Sequence, residues 1–209
     1  MTLGFGFDRL RAVLAFAAAL KAARVNSVTV FAKCHHGMSY FPTRVGTSHP
    51  AIGNRDLLGE QLEALHREGI RAPIYTTVVW EEDVASKHPE WRQITHEGRF
   101  AAPDKGPDGA AEPIGMWRFN NFLDPDYQDY IEAHVREICE RYGDAVDGLF
   151  FDILFFAPNG GWSAASRAFR GKHKLLGTDA GTHALFEGLA QQAFCRRFTK
   201  LVGSLAPHS

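Results

Sequence analysis

The sequence predicts an α/β fold in which helices cover a parallel sheet. The main evidence is a pattern that occurs in three places: an amphipathic helix, a glycine or asparagine stop, a short apolar strand and a polar cluster. Near-continuous apolar strands that alternate with helices are typical of parallel sheets. The chain has 209 residues, of which 45% are hydrophobic and 22% charged, and this is ordinary globular composition. We therefore interpret residues 1–209 as a single domain.

The first copy of the pattern begins with a predicted helix at residues 7–24, where apolar side chains recur at helical spacing. Asn26 is the predicted stop, and residues 27–32 form the first predicted strand. Because charged residues flank the apolar stretch and a strand follows directly, we interpret this segment as part of the fold and not as a signal peptide. No apolar run is long enough to cross a membrane. These features predict a cytoplasmic protein without a membrane partner.

The second copy consists of a helix at residues 56–68, a stop at Gly69 and a strand at residues 72–79. Residues 116–123 are a further candidate strand because they form a short apolar stretch. Residues 95–113 are rich in glycine, proline, alanine and aspartate, and this composition predicts a long loop.

The third copy consists of a helix at residues 125–142, a stop at Gly143 and a strand at residues 146–153. Residues 162–181 contain glycine and basic residues without an apolar period, which predicts an irregular segment. A final helix is predicted at residues 183–201, where the apolar period returns.

Charge and cysteine content exclude several classes of function. Lysine and arginine total 23 and aspartate and glutamate total 24, so there is no basic excess to bind a nucleic-acid backbone. The 3 cysteines are far apart and do not indicate a disulfide framework. Glycine-rich phosphate-binding motifs are absent, and we expect no cofactor.

Polar residues follow each of the three predicted strands. Because the carboxyl ends of parallel strands meet at one edge, we expect these side chains to form a common site. The residues are Lys33, Cys34, His35, His36 and Tyr40 after the first strand, Trp80 and Glu81 after the second, and Asp152 in the third.

Asp152 is the strongest candidate for a catalytic group. It lies inside an apolar run, between Phe151 and Ile153, where an unpaired carboxylate is expensive to bury. An ionised aspartate can act as a nucleophile. The structural alternative is an aspartate that caps a turn or pairs with Lys33 or Arg118.

The adjacent His35 and His36 point to opposite sides of an extended chain, so one is expected to face the pocket. A neutral imidazole there would donate a hydrogen bond to a sugar hydroxyl. Cys34 with the two histidines matches no spaced zinc motif, and we predict no metal. A metal-dependent hydrolase that uses Cys34, His36 and Asp152 is the weaker alternative.

Further candidates for substrate binding are aromatic and polar residues near the same strand ends. Trp80 is suited to stack on a sugar ring, with core packing as the alternative. Glu81 is suited to accept hydroxyl hydrogen bonds, although acids at this position also favour a helix N-terminus. Tyr40, Trp117 and Arg118 complete the candidate set.

Several sequence blocks resemble one known family, hypothetical glycosyl hydrolase 6. The resemblance covers about residues 7–157 and is carried by the blocks together. They are residues 28–42 (VTVFAKCHHGMSYFP), 56–60 (DLLGE), 73–80, 88–91 (HPEW), 117–118, 127–130 and 146–153 (VDGLFFDI).

This family is similar to the α-L-fucosidases and to other glycoside hydrolases with a (β/α)8 barrel. The resemblance implies that His35 and His36 contact a sugar and that Asp152 is the nucleophile of a retaining, double-displacement reaction. A second carboxyl group would protonate the leaving oxygen, and Glu81 and Glu82 are its local candidates. Cys34 departs from the fucosidase pattern, because it separates the lysine from the two histidines.

A closed (β/α)8 barrel takes about 250 residues, so the sequence predicts an incomplete, N-terminal portion of a barrel. An open sheet exposes edges and an apolar face, and this predicts either a homo-oligomer or a missing C-terminal half. The alternative function is a non-catalytic sugar-binding or assembly module derived from such an enzyme. In both cases the expected partner is a carbohydrate.

Overall fold

The computed structural model describes residues 4–101 and 117–207, and it confirms an α/β fold with a mostly parallel sheet. Within the described residues the sheet has five strands in the order β3-β2-β1-β4-β5. They are β1 (Val30–Lys33), β2 (Met38–Ser39), β3 (Thr47–Ser48), β4 (Ile74–Thr77) and β5 (Leu149–Asp152). Strands β1, β4 and β5 are parallel, whereas the short β2 pairs antiparallel with β1.

The described part of the chain also contains six α-helices. They are α1 (Gly4–Ala22), α2 (Leu57–Arg67), α3 (Glu82–Lys87), α4 (Pro125–Tyr142), α5 (Ala164–His173) and α6 (Ala180–Leu205). Among the described residues, no helix has the length and apolarity needed to cross a membrane.

The boundaries of α2 and α4 follow directly from capping residues. Asp56 accepts a hydrogen bond from the backbone N–H of Gly59 at 2.8 Å, which satisfies a free donor in the first turn of α2. Gly69 and Gly143 follow the two helices with φ angles of 70° and 51°, a left-handed conformation that glycine adopts without strain. Both predicted helices and their stops are confirmed.

The end of α1 differs from the prediction. Arg24 has a φ of 59°, and the N–H of Val25 donates to the carbonyl oxygen of Leu20, a closing bond typical of helix C-termini. The chain therefore turns at Arg24, before the predicted stop at Asn26. The left-handed turn is made by a non-glycine residue, so composition gave no signal for it.

Two predictions about the connecting segments are wrong. Residues 117–123 form no strand of the sheet, because Phe119 and Asn120 make only isolated antiparallel bridges. Residues 162–181, predicted as irregular, contain α5, whose first turn is capped by Ser163. Residue 116 and residues 102–113 of the predicted long loop lie outside the described residues.

The two faces of the parallel strands have different surroundings. On one face, Phe151 of β5 packs against Phe194 and Phe198 of α6 within the main apolar core. On the other face, Phe31, Tyr75 and Phe150 form a cross-strand aromatic row. The two phenylalanines of this row are 43% and 49% exposed. We call this face the open face.

The open face positions the candidate site. Side chains two residues apart on a strand share a face, so Thr77 and Asp152 lie beyond the aromatic row, towards the carboxyl ends of their strands. The pairing register places these two residues opposite each other.

Candidate active site

The segments that follow β1, β4 and β5 meet at one edge of the sheet, as the sequence predicts. The backbone N–H of Glu82 donates to the carbonyl oxygen of His35 at 3.0 Å, and that of Asp83 donates to His36 at 3.1 Å. The N–H of Val79 donates to the carbonyl oxygen of Ile153 at 3.0 Å. Backbone hydrogen bonds therefore join all three segments directly.

Lys33 and Glu81 form a buried ion pair beneath this edge. The Lys33 Nζ lies 2.6 Å from Glu81 Oε1, and the side chains are 1% and 0% exposed. The Tyr130 hydroxyl also donates to Oε1 at 2.7 Å, and the Tyr127 hydroxyl donates to Oε2 at 2.8 Å. Burial lowers the pKa of Lys33, and the charge of Glu81 opposes this shift. Neither charged group is exposed at the surface of the described structure.

Asp152 has more open surroundings. The carboxylate is half-buried at the end of β5, and its Oδ2 accepts a hydrogen bond from the Tyr75 hydroxyl at 3.0 Å. Burial, followed by the hydrogen bond to Asp152, raises the pKa of Tyr75, so the phenol keeps its proton. The next residue, Ile153, has a φ of 57°, a strained conformation for a β-branched side chain.

The structure does not pair Asp152 with Lys33 or Arg118. Lys33 pairs with Glu81, and the Arg118 guanidinium binds the carboxylate of Glu82. Within the described residues, no cationic side chain forms an ion pair with Asp152. Its environment is a single phenol donor and partial exposure to solvent.

His35 lies among aromatic rings next to Asp152. Its ring is 5.4 Å from the Trp80 ring, nearly perpendicular to it, and 5.8 Å from the Trp117 ring. Its Nδ1 is 3.4 Å from Thr77 Oγ1 and 3.5 Å from the Tyr75 hydroxyl oxygen. His35, Tyr75, Trp80, Trp117 and Asp152 thus form one cluster.

His36 has separate surroundings. Its Nδ1 accepts from the backbone N–H of Met38 at 3.0 Å, and its Nε2 is 3.0 Å from the hydroxyl oxygen of Tyr40. The His36 ring also contacts His49. Burial, followed by the charges of His49 and His35, lowers the pKa of His36. Both ring nitrogens of His36 are therefore engaged within the protein.

The metal alternative gains no support from this geometry. In the part of the chain that the structure describes, no group of three or more histidine, cysteine, aspartate or glutamate side chains is arranged to hold a metal ion. The proposed ligand His36 uses one nitrogen for Met38 and the other for Tyr40.

Sequence reasoning missed Tyr75 and Thr77. Both belong to β4, which appears in the sequence only as an apolar strand. The signal that could have identified them is strand periodicity: they lie two residues apart and share the open face with Asp152. The strand register was needed to place them opposite Phe150 and Asp152.

Comparison with known proteins extends this description. The sequence profile of the family described as hypothetical glycosyl hydrolase 6 matches residues 13–153, which include β1, β4 and β5. The chain belongs to this family. The predicted resemblance is confirmed, and the profile ends one residue after Asp152. No curated protein sequence matches the chain.

Solved glycoside hydrolases share the fold of this family member. An α-L-fucosidase isoenzyme 2 from Paenibacillus thiaminolyticus is 26% identical, with a TM-score of 0.70 over 92% of this chain and 27% of that chain. The PgaB (BpsB) glycoside hydrolase domain from Bordetella bronchiseptica is 17% identical, with a TM-score of 0.65 over 93% of this chain and 56% of that one. A β-galactosidase from the psychrophilic Marinomonas ef1 is 16% identical, with a TM-score of 0.64 over 93% of this chain and 33% of that one.

These comparisons establish a glycoside hydrolase family and a fold similar to glycoside hydrolase (β/α)8 barrel domains. The chain spans about a quarter of the fucosidase and a third of the β-galactosidase. At the lower identities the similarity shows the fold alone.

Proposed function

We propose that this protein is a glycoside hydrolase that acts on an α-L-fucoside with retention of configuration, and that Asp152 is its nucleophile. The observation that carries the proposal is the environment of Asp152. Within the described residues, it is a half-buried carboxylate without a cation partner, at the carboxyl end of a parallel strand and beside His35. Catalytic groups of barrel enzymes are found at such strand ends.

In the first step, an oxygen of Asp152 attacks the anomeric carbon while the bond to the leaving oxygen breaks. A carboxylic acid transfers its proton to that oxygen, and a glycosyl ester on Asp152 results. In the second step, water attacks the anomeric carbon, the ester bond breaks, and the second carboxylate takes the proton of the water. Tyr75 donates to Oδ2 and thereby holds the nucleophile in place.

The two expected candidates for the acid are both engaged in the structure. Glu81 is 0% exposed and accepts from Lys33 and two tyrosines, and Glu82 binds Arg118. Because the acid must reach the leaving group, we propose that it is supplied by another carboxyl group. Lys33 and Glu81 then support the sugar site from below and do not contact the sugar.

For the sugar itself, we propose a platform made of His35, Trp80 and Trp117. The two indole rings are half-buried, and each contacts the His35 ring, whose Nδ1 approaches the same Tyr75 hydroxyl that binds Asp152. We propose that Tyr40 and Arg118 also contact the sugar at the edge of this platform. Tyr40 contacts His36, and Arg118 contacts Glu82.

The test is hydrolysis of nitrophenyl α-L-fucoside by the wild-type protein and by Asp152→Asn. We expect turnover to be lost in Asp152→Asn and kept in Asp129→Asn, which removes an exposed aspartate that pairs with Arg197. In Asp152→Gly, azide should restore release of nitrophenol by forming a glycosyl azide. Unchanged turnover of Asp152→Asn would exclude this residue as the nucleophile.

The second candidate function is a non-catalytic sugar-binding module. The burial of Glu81 and the pairing of Glu82 favour it, because they leave both local acid candidates occupied. Calorimetric titration with L-fucose separates the two functions. Binding without any release of nitrophenol by the wild-type protein would favour the module over the enzyme.

A further inference from the structure

We infer that Thr77 and Tyr75 hold His35 in the tautomer with its proton on Nδ1, so that Nε2 accepts a hydrogen bond from a hydroxyl group of the bound sugar. This reverses the expectation from sequence, in which the imidazole donates to the sugar. The choice of ligand rests on the proposed function, whereas the tautomer rests only on contacts within the protein.

The first contact is with Thr77. A threonine hydroxyl has one hydrogen to donate. That of Thr77 is directed to the carbonyl oxygen of Trp80 at 2.7 Å, a short and well-formed hydrogen bond. Towards His35 Nδ1, at 3.4 Å, the same oxygen can therefore only accept.

The second contact is with Tyr75, and it leads to the same conclusion. Its single hydroxyl hydrogen is donated to Asp152 Oδ2 at 3.0 Å. The phenol oxygen lies 3.5 Å from His35 Nδ1, so it too is available only as an acceptor. Both hydroxyl groups that approach Nδ1 thus require a hydrogen on this nitrogen.

A neutral imidazole carries one hydrogen, so a proton on Nδ1 leaves a lone pair on Nε2. Among the described residues, no side chain or backbone group forms a hydrogen bond with His35 Nε2. The lone pair of His35 Nε2 can accept a hydrogen bond, and the hydroxyl groups of a sugar can donate one. Tyr75 is a positioning residue here, because one phenol fixes both the carboxylate of Asp152 and the tautomer of His35.

His36 provides an internal control for this inference. Its Nδ1 faces a backbone N–H, that of Met38, which can only donate. The proton of neutral His36 must therefore lie on Nε2, where it is donated to Tyr40. Two adjacent histidines are thus assigned opposite tautomers by independent contacts.

The tautomers can be measured directly by two-dimensional ¹H–¹⁵N spectroscopy of the histidine rings in the full chain. Spectra of His35→Gln and His36→Gln assign the two rings, and the pH is kept about two units above the ordinary histidine pKa of about 6.5, so that ordinary histidines are neutral. We expect the nitrogen without a proton to be Nε2 in His35 and Nδ1 in His36. A proton on Nε2 of His35, or an equal mixture of tautomers, would overturn the inference.

Substitutions of Tyr75 and Thr77 test whether their hydroxyl groups fix the tautomer of His35. The double variant Tyr75→Phe with Thr77→Val removes both acceptors, and we expect the His35 spectrum to shift towards a mixture while His36 is unchanged. Tyr75→Phe with Thr77→Ser keeps one acceptor and should retain the Nδ1–H form. If the double variant retains a pure Nδ1–H tautomer, the assigned cause is wrong.

Titration with L-fucose tests the ligand. We expect the His35 Nε2 resonance to move and the His36 resonances to stay in place. No change at any fucose concentration would overturn the sugar hydroxyl as the partner, even if the tautomer is as inferred. Because these readouts need no turnover, loss of the proposed hydrolase activity and failure of this inference remain distinguishable.

Discussion

Glu81 follows β4 and Asp152 ends the neighbouring strand β5, yet their surroundings are opposite. Glu81 is fully buried and accepts hydrogen bonds from one ammonium group and two phenols. Asp152 is half-buried and accepts from one phenol. The first carboxylate holds the edge of the sheet together, whereas the second has capacity left for a ligand. Position at a strand end is thus insufficient to identify a catalytic group.

The contrast can be tested by removing one partner from each carboxylate. The largest effect is expected for Lys33→Met, which leaves Glu81 as a buried charge without its cation. Breaking a buried ion pair from one side costs about 3–5 kcal/mol. We expect this loss in the free energy of unfolding, measured by urea denaturation. In Lys33→Met with Glu81→Gln much of it should return; equal losses in both variants would show that the ion pair is not the cause.

The next largest effect is expected for Tyr127→Phe. This change removes a hydroxyl that contacts Glu81 Oε2 and the carbonyl oxygen of Val78, both in the buried interior. The hydroxyl has one hydrogen, and leaving a buried acceptor without its donor costs about 1–3 kcal/mol. Urea denaturation measures this loss in the free energy of unfolding. A loss below about 1 kcal/mol would contradict a buried hydrogen bond from Tyr127.

The helices and the candidate site differ in how far the sequence predicts them. The stops at Gly69 and Gly143 and the apolar period of α4 give the helices almost to the residue. The prediction fails at α5, because Arg170 occupies its buried side. The guanidinium is 0% exposed and lies over the rings of Trp162 and Phe186. A charged residue in that position hides the helical period.

For the site, the sequence predicts that the strand ends meet, but not which side chains face solvent. Trp80 and Glu81 are adjacent, yet Trp80 contacts His35 while Glu81 binds Lys33 in the interior. Tyr75 is far from His35 and Asp152 along the chain, and only the strand register brings the three together. Such tertiary contacts leave no local pattern in the sequence.

Buried His134 of α4 is expected to make the free energy of unfolding depend on pH. It is fully buried, neither ring nitrogen has a hydrogen-bond partner among the described residues, and burial lowers its pKa well below the ordinary value. Below about pH 6.5 the unfolded chain therefore binds a proton that the native chain excludes. We expect this group to lower the free energy of unfolding by about 1.4 kcal/mol per pH unit until the lowered pKa is reached. Above the ordinary pKa it has no effect.

The measurement compares the wild-type protein with His134→Leu, by urea denaturation one unit above and one unit below about pH 6.5. The difference between the two proteins should change with pH in favour of the variant on the acid side. The ring packs against Phe41, so an apolar replacement keeps the contact. An identical pH dependence in both proteins would mean that His134 is accessible to protons in the native state.

The smallest effect on stability is expected for Tyr75→Phe, which makes the same chemical change as Tyr127→Phe on the other carboxylate. The aromatic ring keeps its contacts with Phe31 and Phe150. Asp152 is half-buried, so water can replace the lost hydroxyl donor, and we expect a loss below about 1 kcal/mol in urea denaturation. A loss equal to that of Tyr127→Phe would show that Asp152 is as enclosed as Glu81. The carboxylate would then have no capacity left for a sugar, and the assignment of Asp152 as a nucleophile would fail with it.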